Sequence, residues 1–164
     1  MLDLPGALQR LLVHQVDFVL IGGQAAVARG AALLTRDVDI CYAREPENLE
    51  RLAAALNSMH ARLRGVDEDL PFILDARTLH NGDSFTFVTD FGSLDVLATP
   101  SGTAGYEDLV PASDALDLGE SLVVRVVALD DLIRMKRAAG RPKDREAVEN
   151  LIALRDELTD RGEL

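Results

Sequence analysis

Residues 37–43, DVDICYA, alternate in character with period two. On a strand that pattern sends Asp37 and Asp39 to one face and Val38 and Ile40 to the other. A chain built this way needs a sheet that buries one face and holds two carboxylates on the other. The buried side must be aliphatic, because the chain has no Trp, two Tyr and five Phe while 48% of it is apolar. At 164 residues it is expected to form a single domain over 1–164, with a core over about 14–128 and a helical part over about 129–164. A chain of this length buries enough surface to fold without staples.

Apolar spacing predicts helices over 4–15, 24–32, 45–64, 129–139 and 143–158. Strands are expected over 17–21, 37–43, 84–89 and 93–98, with a hairpin turn at Asp90-Phe91-Gly92. A further hairpin, 115–118 with 121–128, turns at Gly119-Glu120, and 100–113 reads as loop. Gly140-Arg141-Pro142 separates the last two helices, Gly as a C-cap and Pro just beyond it. The order implies an α/β (α+β) fold: a mixed sheet with helices packed on one face and two helices at the C-terminus.

Two ionised carboxylates roughly 7 Å apart at their Cα atoms repel each other unless a cation lies between them. Oxygen-only ligands of this kind suit Mg²⁺ or Mn²⁺. Asp95 repeats the apolar–Asp–apolar pattern as Leu94-Asp95-Val96, and three carboxylates converge if its strand pairs beside the first. Such a trio can hold two ions, one at an attacking hydroxyl and one at a triphosphate. Taken alone, an Asp-x-Asp pair is equally a solvated strand face. The pattern gains weight from Gly22-Gly23 between a strand and a helix, where bare backbone can approach phosphate oxygens.

A net charge of −11 argues against broad binding to nucleic acid. Residues 134–145 run the other way, with six Lys/Arg against one Asp, and form either a phosphate-binding island or a solvated helical surface. The lone Cys41 excludes an internal disulfide, and the three His are scattered without metal spacing. Residues 1–15 lack the features of a signal peptide and no long apolar run marks a membrane span, so a cytoplasmic location is expected.

Together, Ile21-Gly22-Gly23, thirteen residues, Asp37-Val38-Asp39 and then Leu94-Asp95-Val96 resemble the signature of the nucleotidyltransferase superfamily related to DNA polymerase β. The likeness spans roughly 14–155. Its end, Asp131 to Lys136 followed by Arg141-Pro142-Lys143-Asp144, looks like small prokaryotic members, including the toxin-type enzymes of toxin–antitoxin systems. The resemblance implies transfer of a nucleoside monophosphate from an NTP to an acceptor hydroxyl, with release of pyrophosphate. It places Asp37, Asp39 and Asp95 on Mg²⁺ or Mn²⁺ as catalytic and metal-binding residues. Gly22, Gly23, Arg36 and Lys136 fall to the nucleotide. Many members carry Ser where this chain has Gly23, so one hydroxyl contact to phosphate is missing. The acceptor, whether tRNA, protein or small molecule, stays open, as do the NTP base, a cognate antitoxin and a homodimer. A catalytically silent binding module of the same fold is the alternative. A glycosyltransferase Asp-x-Asp site needs more than the 36 residues before Asp37, and a phosphohydrolase wants its Asp pair directly after the first strand.

Overall fold

The computed structural model describes residues 2–67 and 69–164. Among the described residues, seven strands make one sheet in the order β3-β4-β5-β2-β1-β7-β6. They are β1 (Phe18–Ile21), β2 (Asp37–Tyr42), β3 (Arg62–Leu63), β4 (Ser84–Thr89), β5 (Gly92–Leu97), β6 (Asp114–Asp117) and β7 (Val123–Val126). The sheet is mixed. β2 runs antiparallel to β1 and parallel to β5, and β1 runs parallel to β7. β4 and β5 form the expected hairpin, as do β6 and β7.

Among the described residues, seven α-helices accompany the sheet: α1 (Leu4–Val13), α2 (Gly22–Ala28), α3 (Pro46–Ser58), α4 (Ala76–Asn81), α5 (Tyr106–Leu109), α6 (Leu129–Ala139) and α7 (Asp144–Asp160). Local chemistry sets several ends. The Asp3 carboxylate accepts from the Gly6 N–H at 2.9 Å and caps α1. Gly140, at φ 64°, closes α6 in the left-handed conformation that glycine adopts freely. The period-two pattern does what it implies: Val38 and Ile40 are fully buried, with Leu94, Val96 and Phe87 of the neighbouring strands, in one contiguous apolar cluster.

The structure differs from the sequence reading in four places. Helix α3 stops at Ser58, and a left-handed His60 (φ 52°) turns the chain into the two-residue β3. The stretch expected as loop holds α5 and a 3-10 turn over Val110–Ala112. A short α4, capped by Asp75 on the Thr78 N–H, precedes β4. Helices also occupy more than one face, because Leu132, Met135 and Lys136 of α6 share a cleft with Asp39 and Asp95. Among the described residues, no helix is long and apolar enough to cross a membrane.

Candidate active site

Strand register brings the carboxylates together. Asp39 stands directly opposite Asp95 across the parallel β2–β5 pair, and Asp37 opposite Ser93. Neighbouring strands lie about 4.8 Å apart, so Asp39 and Asp95 share one site, with Asp37 one pleat further on. On its other side Asp39 faces Ile21, the last residue of β1, which delivers Gly22 to the same place.

Gly22 is required there twice over. Its φ is 68°, and a Cβ at that position would stand 2.1 Å from Asp39 Oδ2. Gly23 is crowded as well, since a Cβ there would meet the Thr35 Cβ and Oγ1, each at 2.9 Å.

The carboxylates are poorly compensated. Asp39 is pushed up to about 7, first by burial, then by the Asp95 carboxyl it can hydrogen-bond, then by the charges of Asp95 and Asp37; Lys136 opposes the rise. Asp95 Oδ1 is buried with no hydrogen-bond partner. Asp37 is half-exposed, its Oδ1 3.9 Å from Arg64 Nη1. Among the described residues no three acidic, His or Cys side chains form a ready-made metal cage. The donor set nonetheless fits a hard divalent cation. It is all oxygen, it carries an orphaned buried oxygen, and its mutual repulsion is what such an ion relieves.

Lys136, half-buried on α6, is anchored from behind. Its Nζ lies 3.6 Å from Asp144 Oδ1, and Arg141 Nε donates to Asp144 Oδ2 at 2.7 Å. Asp144 is only 3% exposed, and the Arg141 hydrogen bond, followed by the charge of Lys136, holds its carboxyl below the usual range. The basic island therefore divides. Arg134 is tied to Asp108 and Asp131, whereas Lys136 and Lys143 line a cleft of about 760 Å³ with Gly22, Gly23, Asp37 and Asp39. Ala31, Leu33, Leu151 and Leu154 add apolar surface to that cleft, which Glu146, Asn150 and Glu157 also line.

Arg36 lies elsewhere, in a separate cleft with Leu2, Thr89 and Ser93 on the other side of Asp37. Cys41 is fully buried and its thiol is pushed up to about 12 by burial, which leaves it an inert core residue. Sequence reasoning passed over Thr35 and named Asp144 only within the C-terminal pattern. Asp144 was signalled by its i, i+3 spacing from Arg141, while nothing local marks Thr35.

No protein-family model matches the chain, and no curated protein matches it by sequence. Solved structures do. The lincosamide antibiotic adenylyltransferase LnuA, in a lincomycin-bound crystal structure, aligns with a TM-score of 0.59 at 12% identity, over 90% of this chain and 92% of its own. The antibiotic-resistance factor ANT(2″)-Ia, known from a solution structure, aligns at 0.56 and 17% identity, over 96% and 91%. A Thermotoga maritima protein described as a nucleotidyltransferase aligns at 0.55 and 14% identity, over 98% and 96%. The chain has the nucleotidyltransferase fold.

Proposed function

We propose that the chain is a metal-dependent nucleotidyltransferase that moves a nucleoside monophosphate from an NTP to an acceptor hydroxyl. The observation that carries this reading is the in-register pairing of Asp39 with Asp95, with Asp37 adjacent and an Asp95 oxygen buried without a partner. Asp37, Asp39 and Asp95 are the residues that would hold Mg²⁺ or Mn²⁺. Such ions, when bound, neutralise the triphosphate and lower the pKa of a nearby hydroxyl.

The chain's own groups take the remaining roles. Gly22 and Gly23 leave bare backbone beside the carboxylates, so phosphate oxygens can approach closely. Lys136, held by Asp144, offsets charge on the triphosphate, with Lys143 beside it in the cleft. Asp95 would accept the proton of the acceptor hydroxyl. The hydroxyl oxygen would attack the α-phosphorus as the bond to the bridging oxygen breaks, and pyrophosphate carries away the electron pair. Arg36 opens onto the other side of Asp37, so it is assigned to the acceptor side rather than the triphosphate.

The acceptor we propose is a small molecule with a free hydroxyl. A cleft of about 760 Å³ lined by both polar and apolar side chains suits such a ligand, and the net charge of −11 disfavours tRNA. The adenylyltransferase similar in fold was solved with lincomycin bound, which supports the same choice. A protein acceptor or a toxin role with an antitoxin partner has no comparable support at the site.

Thermal melting with Mg²⁺ and each NTP in turn tests the binding half of this reading. A nucleotide at a hundredfold excess over Kd raises stability by about 2.7 kcal/mol. Melting curves left flat by all four NTPs would count against the site. Binding without transfer to any acceptor would favour the silent module.

A further inference from the structure

We propose that Thr35 donates its hydroxyl to a phosphate oxygen of the bound nucleotide. The inference rests on the nucleotidyltransferase reading and deepens it, by assigning the site a neutral donor that is absent from the glycine turn itself. Thr35 sits in the loop between α2 and β2, half-buried, and of the described residues lining the large cleft it alone carries a hydroxyl.

Its position is tightly set. Thr35 Cβ and Oγ1 each lie 2.9 Å from where a Cβ on Gly23 would be, so the hydroxyl stands where a side chain of residue 23 would begin. A donor is thus delivered directly beside Gly23 from the segment that precedes β2. Any side chain at 23 would have to displace it.

Three features single out phosphate. Two cations, Lys136 and Lys143, share the cleft with this hydroxyl and can receive an anionic ligand, while Asp37, Asp39, Glu146 and Glu157 line it as well. The hydroxyl is lightly engaged, since its one bond, donated to the Asp37 carbonyl, is long at 3.4 Å. A charged phosphate oxygen is a better acceptor than that carbonyl, so turning the O–H toward it gives a shorter, stronger bond.

The test is a binding titration of the full chain with each NTP and Mg²⁺, and separately with Mg²⁺ and inorganic tripolyphosphate, which has no base or sugar. Thr35→Val keeps the shape beside Gly23 and removes the donor. It is expected to weaken both ligands by roughly 10- to 30-fold and to leave the melting temperature of the unliganded protein unchanged. Thr35→Ser should bind within about threefold of wild type, because the donor remains. Gly23→Ser alone should bind poorly through the clash, and Gly23→Ser with Thr35→Gly should recover affinity by moving the hydroxyl onto the turn. Wild-type affinity in Thr35→Val overturns the assignment of Thr35 alone. Weaker NTP binding with unchanged tripolyphosphate binding overturns it too, because the hydroxyl would then contact the nucleoside. A wild-type protein that binds neither ligand overturns the nucleotidyltransferase reading itself.

Discussion

On the β1 side of Asp39, Gly22 comes so close that a Cβ would stand 2.1 Å from a carboxylate oxygen, whereas on the β5 side Asp95 keeps a buried oxygen with no partner. Helix α6 lies over both: its Leu132 and Lys136 line the cleft at Gly22, and with Met135 they also line the one that holds Asp95. The β5 side continues along the same sheet face through Ser93 and Thr86, both half-buried, toward an exposed Arg64. Sterics hold Asp39 from one side, and electrostatics leave it unbalanced from the other. The difference separates two jobs in the proposed reaction. In-line transfer sends pyrophosphate away from the attacking hydroxyl, so the glycine side, with bare backbone at Gly22 and Gly23, suits the triphosphate and the Asp95 side suits the acceptor.

Removing the charge that both sides share should have the largest effect. Asp37→Ala and Asp39→Ala are expected to lower transfer by roughly a thousandfold or more while the far-ultraviolet circular dichroism stays unchanged. Transfer at the wild-type rate in both variants would dissolve the distinction between the two sides. Breaking the steric side comes next. Gly22→Ala forces a methyl group into Asp39 at a positive φ, and should cost about 1–3 kcal/mol in denaturant unfolding along with most of the activity. If this variant melts like wild type, the close packing is not what places Asp39.

Asp144→Ala leaves the carboxylates intact and frees Lys136. It should raise KM for the NTP by about tenfold with a smaller change in kcat, since Lys136 would still be present but less well placed. Equal falls in kcat and kcat/KM would instead mean that Asp144 acts on the transition state.

The smallest effect concerns pH. The Asp39 carboxyl is raised in the folded state from 3.8 to about 7, so the folded protein binds that proton more tightly than the unfolded chain does. Stability from this group is full below about pH 4, declines as pH rises toward 7 and then levels off, by on the order of 1–3 kcal/mol. Urea unfolding across that range should show the decline, and Asp39→Asn should flatten it. A wild-type protein without the decline would mean that the β5 side is already compensated.

The carboxylate face was legible because a period-two pattern survives in any sheet, and both Asp-bearing strands are long enough to display it. The pairing of β2 beside β5 was a condition in the sequence reading rather than a deduction, since periodicity carries no register. Helix α3 was overrun because Met59 and Leu63 continue its i, i+4 spacing, although the backbone turns at His60. The two-residue β3 and the six-residue α4 are too short to establish a period. Thr35 was invisible for a different reason. Its role depends on a loop folding back over Gly23, a contact between residues twelve positions apart that no local pattern encodes.

Incubating the protein with Mg²⁺, each α-³²P-labelled NTP and a pool of hydroxyl-bearing small molecules, beside Asp39→Ala, bears most directly on the proposed transfer. The account predicts a labelled small-molecule product and released pyrophosphate with the wild type, and neither with Asp39→Ala. Label transferred equally well by Asp39→Ala, or no transfer of any NTP under conditions where the nucleotide is bound, would contradict it.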